Sequence, residues 1–227
     1  MTIELTGIPG AGKSTVLDSL KELQDRKGFV FDIQRYMLGK TFLPIRGKIG
    51  YELVLLTQIL LLKKKDWYLL KHVFLFVKSS GNSLFHKMNI LRNTLKKLII
   101  YRYIKDKNEV FFIDEGISHI PFTVFVDVDK KINYKDLREF LEFLPPIDSL
   151  LIIDAPDNVL LKRVLERGKR GHRRIDFDSQ ENVKFFMLQS REVLEQLKSY
   201  FTGYIYKNIK KDVDTKKIIY EIGLKDV

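Results

Sequence analysis

Residues Gly7 to Ser14 read GIPGAGKS and satisfy G-x-x-x-x-G-K-[ST] at every fixed position, the pattern of a loop that cradles the phosphates of a nucleoside triphosphate. Each residue type has a task. Gly7, Gly10 and Gly12 let the backbone approach phosphate oxygens with no side chain in the way, and Pro9 and Ala11 complete the bend. Lys13 reaches the β- and γ-phosphates, Ser14 offers its hydroxyl to Mg2+, and Thr15 closes the set of residues expected around ATP. Asp114, the acid ending Val110-Phe111-Phe112-Ile113-Asp114, is the expected magnesium ligand, directly or through water, with Glu115 sharing that work. The competing reading of Asp114 is a helix cap. Asp32 is a candidate general base that relieves an acceptor hydroxyl of its proton as it attacks the γ-phosphorus; an acid in a surface turn reads the same way.

These groups need a scaffold that brings them to one edge, and the flanking patterns supply it. Thr2 to Thr6 alternates apolar and polar residues as a strand does, and Ser14 to Arg26 carries Val16, Leu17, Leu20 and Leu23 at helical spacing. A helix N-terminus therefore follows the loop directly, where amide groups and the helix dipole favour an anion. Further strands are predicted at 29–33, 110–114, 150–154 and 204–206, and helices at 47–78, 83–106, 157–168, 181–200 and from Asp214, with a turn at 79–83. This alternation predicts an α/β three-layer P-loop NTPase fold with a five-stranded parallel sheet and a helical insertion between strands 2 and 3. In such sheets the ligand crevice lies beyond the strand C-termini, where Asp32, Asp114 and the loop after Thr6 converge.

A chain of 227 residues with 45% hydrophobic content suits a single domain, 1–227, with 41–108 as the insertion. It has no cysteine, which excludes disulfides, thiolate zinc sites and cysteine nucleophiles, and its four histidines show no ligand spacing, so no zinc is expected. The N-terminal residues lack a targeting pattern, and the cytoplasm is the expected compartment. Charge is unevenly placed. Of the net +11, the segment from Leu53 to Lys105 holds eleven Lys or Arg and a single acid, Asp66, or +10. Its apolar runs, Leu53 to Leu62 and Trp67 to Val77, fall short of the roughly 18 to 20 residues that span a bilayer.

Arg163 and Arg167 are four apart and share a helix face, while Lys169, Arg170, His172, Arg173 and Arg174 crowd a glycine-punctuated loop. A lid at 168–180 would bring such cations over bound phosphates and exclude water; a solvated basic helix end is the alternative.

Taken together, GIPGAGKST, FFIDEG, LLIIDAPDNVLLKRVLERGKR and FMLQSREVLEQL stand in the order found in P-loop kinases of the thymidylate kinase-like nucleoside and nucleotide kinase group, and the chain resembles that group outside residues 41–108. The resemblance implies ATP with Mg2+ as donor, Arg163, Arg167 and Arg170 near the donor phosphates, and an acceptor over the strand ends. The chain departs from the group after its third strand, where an Asp-Arg pair is usual and Asp114-Glu115 stands instead. Glu115 cannot clasp an acceptor phosphate as an arginine does. Arg35 is a candidate contact for an acceptor anion. The DEG strand with a basic apolar insertion is also similar to kinase-like proteins of bacterial surface-polysaccharide synthesis, which implies a sugar or lipid-linked acceptor as an alternative to a nucleotide or nucleoside.

Three uses of the insertion follow. It closes over a small-molecule phosphoryl acceptor, or lays Trp67, Phe74 and Phe76 against an anionic membrane, or places its lysines on nucleic-acid phosphates. In the latter two cases an NTPase or nucleotide-binding protein without kinase activity is the alternative function. The apolar insertion also offers a homodimer face.

Overall fold

The computed structural model of the chain describes residues 1–23, 28–39, 47–79, 84–127, 131–168, 179–201, 203–208 and 213–224. Its frame is one sheet of five strands: β1 (Thr2–Thr6), β2 (Phe29–Val30), β3 (Val110–Asp114), β4 (Ser149–Asp154) and β5 (Gly203–Lys207). Their order is β2-β3-β1-β4-β5 and every pairing is parallel. Helices therefore make the crossovers, α1 (Lys13–Lys21) and α2 (Ile33–Gly39) early in the chain, then α3 (Gly47–Thr57), α4 (Lys64–Ser79) and α5 (Leu84–Ile104). The second half adds α6 (Ile120–Phe125), α7 (Tyr134–Phe143), α8 (Asp157–Gly168), α9 (Gln180–Tyr200) and α10 (Thr215–Glu221). This is the expected α/β architecture.

Being central, β1 is buried at all five residues. Its alternation does not mark a solvated face: Thr2, Glu4 and Thr6 are as buried as Ile3 and Leu5. Layers cover both sides, as parallel sheets require.

The strand predicted at 29–33 ends at Val30, because Asp32 Oδ1 accepts the Arg35 amide at 2.9 Å and caps α2, a helix the sequence pattern did not reveal. The predicted helix at 47–78 is interrupted by a 3-10 turn at Gln58–Leu61 and by extended backbone at Leu62. The new helix starts because Asp66 Oδ2 accepts the Lys63 amide at 2.7 Å while the Lys63 carbonyl accepts from Asp66 and Trp67. Helices α6 and α7 are likewise absent from the sequence prediction.

The insertion is part of the core. Leu69, Val73 and Val77 of α4 and Leu98 and Tyr101 of α5 join the cluster built on β1, β3 and β4, while Tyr51, Val54 and Leu55 of α3 pack with Met37 and Ile99 in a second one. A bidentate pair ties the hairpin together: Arg102 Nε and Nη2 donate to Asp66 at 2.8 and 2.7 Å, with side chains 8% and 1% exposed. Among the described residues, no helix is long and apolar enough to cross a membrane.

Candidate active site

Between β1 and α1 the loop turns on three glycines, Gly7 (φ 152°), Gly10 (φ 83°) and Gly12 (φ 88°). Gly12 is the N-cap of α1, so the amides of the helix's first turn lack helical acceptors, the arrangement that suits an anion. All three glycines are also short of space, Gly10 because a Cβ there would lie 2.9 Å from the Leu160 carbonyl oxygen. A Cβ on Gly7 would lie 2.2 Å from the Ile153 carbonyl oxygen of β4, and one on Gly12 would lie 2.1 Å from Asn208 Nδ2. Asn208, just beyond β5, donates its side-chain amide to the Ala11 carbonyl at 2.8 Å and its backbone amide to Asp154 at 2.7 Å. Arg163 on α8 donates to the Gly10 and Asn208 carbonyls, each at 3.3 Å. Its guanidinium thus braces the loop through carbonyl oxygens. Asn208 carried no motif that could have announced it.

Lys13 is bent back over the loop. Its ammonium donates to the Gly7 carbonyl at 3.0 Å and stands 3.4 Å from Glu115 Oε1. Glu115 follows β3 in left-handed backbone, φ 53°, the one non-glycine residue with positive φ among those described. Its amide donates to the Leu5 carbonyl at 3.2 Å, and its second oxygen faces His119 Nε2 at 3.5 Å. Burial raises the Glu115 carboxyl, but His119, Lys13 and Lys97 outweigh it and hold the group below its ordinary value. Asp114 and Ser14 are exposed at the mouth of the loop.

Behind Glu115 lies a buried carboxylate. Glu4 accepts the Ile117 and Ser118 amides at 3.0 and 2.8 Å. Burial pushes its carboxyl up, and those hydrogen bonds and Lys97 pull against that shift. The alternating strand pattern hid Glu4, and Lys97 was one of eleven cations in its segment. In the fold Lys97 projects from α5 toward Glu115, Glu4 and Asp114; burial lowers its ammonium to about 8, against the pull of those acids. A cleft of about 460 Å³ opens here between α5 and the end of β3, lined by Asn93, Lys96, Lys97 and Tyr101 on one side and Asp114, Glu115 and His119 on the other.

The remaining predicted residues are placed as follows. Asp32 is exposed at the start of α2, where it caps the helix. Arg35 is exposed on α2. Arg167 lies on α8 one turn beyond Arg163. Of the lid at 168–180, residues 169–178, Arg170 among them, lie outside the described residues.

Compared with known structures, the chain is similar to deoxyadenosine kinase from M. mycoides with bound dATP: 16% identity, 98% of this chain and 97% of that one, TM-score 0.50. The chain shares the fold of that kinase, built here on a five-stranded parallel sheet. The same kinase bound to dCTP, and to dCMP with a flexible dCDP, aligns with TM-scores of 0.48 and 0.49, each at 16% identity over 98% of this chain and 96% of the other. No family model matches the sequence, and no curated protein does.

Proposed function

We propose that the protein is an ATP-dependent phosphotransferase, a P-loop kinase that moves the γ-phosphoryl group to a small-molecule hydroxyl or phosphate held in the cleft between α5 and β3. One observation carries the reading: Glu115 borders that cleft and also contacts Lys13 of the phosphate loop at 3.4 Å, so donor and acceptor spaces share a wall.

The loop fits a triphosphate, since its three positive-φ glycines and the start of α1 form a cradle of backbone donors with Lys13 at its rim. Ser14 and Asp114 offer the hard oxygen donors that suit Mg2+, which keeps most of its ligands as water and phosphate and so asks little of the protein. Bound there, the ion would neutralise charge between the phosphates. The chain's own residues do the rest. Lys13 is released from Glu115 toward the phosphates, and Glu115, kept ionised by its cations, is free to orient an acceptor hydroxyl. Lys97 adds positive charge beside the transferring group. Asp32, at the start of α2, remains a candidate base, and Arg163, Arg167 and Arg170 remain candidate donor-side cations. The insertion is thus the acceptor wall, and the dATP bound to the M. mycoides kinase of like fold supports a nucleoside or nucleotide acceptor over a sugar or lipid-linked one.

The test follows label from the γ-phosphate of ATP, with magnesium, into nucleosides, nucleotides and the aqueous and lipid fractions of a cell extract. Label in one acceptor, lost with Lys13→Ala, supports the reading. Label released only as inorganic phosphate would replace it with nucleotide hydrolysis.

A further inference from the structure

The outward face of α4 is built unlike a solvated helix face. Trp67, Tyr68, Phe74 and Leu75 are 52, 45, 49 and 49% exposed. Between them stand exposed Lys64, Lys65, Lys71 and Lys78. Positions 64, 67, 68, 71, 74, 75 and 78 recur at helical spacing, so aromatic, aliphatic and cationic groups form one stripe along sixteen residues, about 24 Å at 1.5 Å per residue. The inward face is satisfied by Leu69, Val73 and Val77 in the core.

Both ends extend the stripe. Leu60 and Leu61 precede α4, 92 and 42% exposed, and Leu84, Phe85 and Met88 open α5 at 77, 83 and 58%. Lys87 Nζ donates to the Lys78 carbonyl at 3.1 Å and holds the start of α5 against the end of α4. Neither α4 nor α5 carries an exposed acid. The segment's sole acid, Asp66, is 1% exposed and consumed by Arg102, while Glu52 engages Arg92 and Lys96 on α5.

We infer that this face docks the protein on an anionic lipid surface. Lysines beside Trp, Phe and Leu are the composition of a helix lying in a membrane interface, where apolar groups enter the acyl boundary and ammonium groups meet anionic headgroups. Nucleic acid fits less well, because much of the exposed apolar surface, at Leu60, Leu61, Leu75, Leu84 and Met88, is aliphatic and cannot stack on bases. A second copy fits less well too, because its identical face would set lysine against lysine. Docking is independent of the proposed reaction, though α5 links the two by running from Leu84 at the surface to Lys97 at the cleft.

Trp67 is the only tryptophan of the chain, so the native protein reports on its own docking. Its emission should shift to the blue, and its quenching by acrylamide should fall, with phosphatidylglycerol vesicles at low salt. Neither change should occur with phosphatidylcholine vesicles, and high salt should reverse both. Lys64→Glu with Lys71→Glu, and separately Phe74→Ser with Leu75→Ser, should weaken vesicle co-sedimentation at least about tenfold. These side chains are exposed; the native tryptophan signal decides the matter even where a variant folds poorly. An unshifted spectrum with anionic vesicles overturns the inference. So does a shift with a single-stranded oligonucleotide but not with vesicles, or one that follows protein concentration without lipid, the mark of self-association.

Discussion

At the residue scale, the site depends on groups that leave no room for substitution. A Cβ on Gly116 would lie 2.4 Å from Glu4 Cδ, so the space at this position calls for glycine. Gly116→Ala should destabilise the protein by about 1–3 kcal/mol, as overpacking does; an unchanged urea midpoint would show that Glu4 can move. Lys97 gives a prediction in pH. Its folded value, about 8, lies below the ordinary 10.5, so between these values the unfolded chain holds more protons than the folded one. Stability from this group therefore rises as pH climbs from about 8 toward 10.5 and is withheld below 8. Lys97→Met should flatten that rise in melting temperature relative to the native protein, and parallel curves would remove Lys97 from its buried place.

The element scale concerns how the insertion is locked. Asp66 accepts the Lys63 amide that begins α4 and both Arg102 donors from α5, so one carboxylate starts a helix and pairs two. Removing a partner from a buried pair leaves an uncompensated charge, and Asp66→Ala should cost about 3–5 kcal/mol in denaturant unfolding. Replacing both, Asp66→Leu with Arg102→Met, should restore much of that loss, because the charge and its desolvation vanish together. Equal losses in the single and double variants would mean that the cap at Lys63, not the ion pair, dominates.

On the scale of the whole molecule, nucleotide binding should be coupled to stability. A ligand at a hundred times its dissociation constant adds about 2.7 kcal/mol to the folded state, so ATP with magnesium should raise the melting temperature. Lys13→Ala should abolish that rise and leave the unliganded melting temperature close to the native value, since its lost contacts are one carbonyl and the half-exposed Glu115. A preserved rise would show that the loop binds without its lysine.

The turn from Gly7 to Ser14 was legible because its geometry is local: positive glycine φ values and a helix start within eight residues shape a loop of backbone donors whatever surrounds them, the loop proposed to hold a triphosphate. The buried strands at Phe111 and Leu150 were legible for a like reason, as apolar runs ending in an acid. Tertiary structure alone decided that Glu4 lies under Gly116, that Lys97 rather than its neighbours turns toward Glu115, and that Asn208 and Arg163 brace the loop from behind. It also decided that the lysines of α4 face outward with Trp67 and Phe74. A lone carboxylate or lysine carries no sequence signal of its partner, because the partners here stand tens to hundreds of positions away and meet only when α5 folds back over the end of β3.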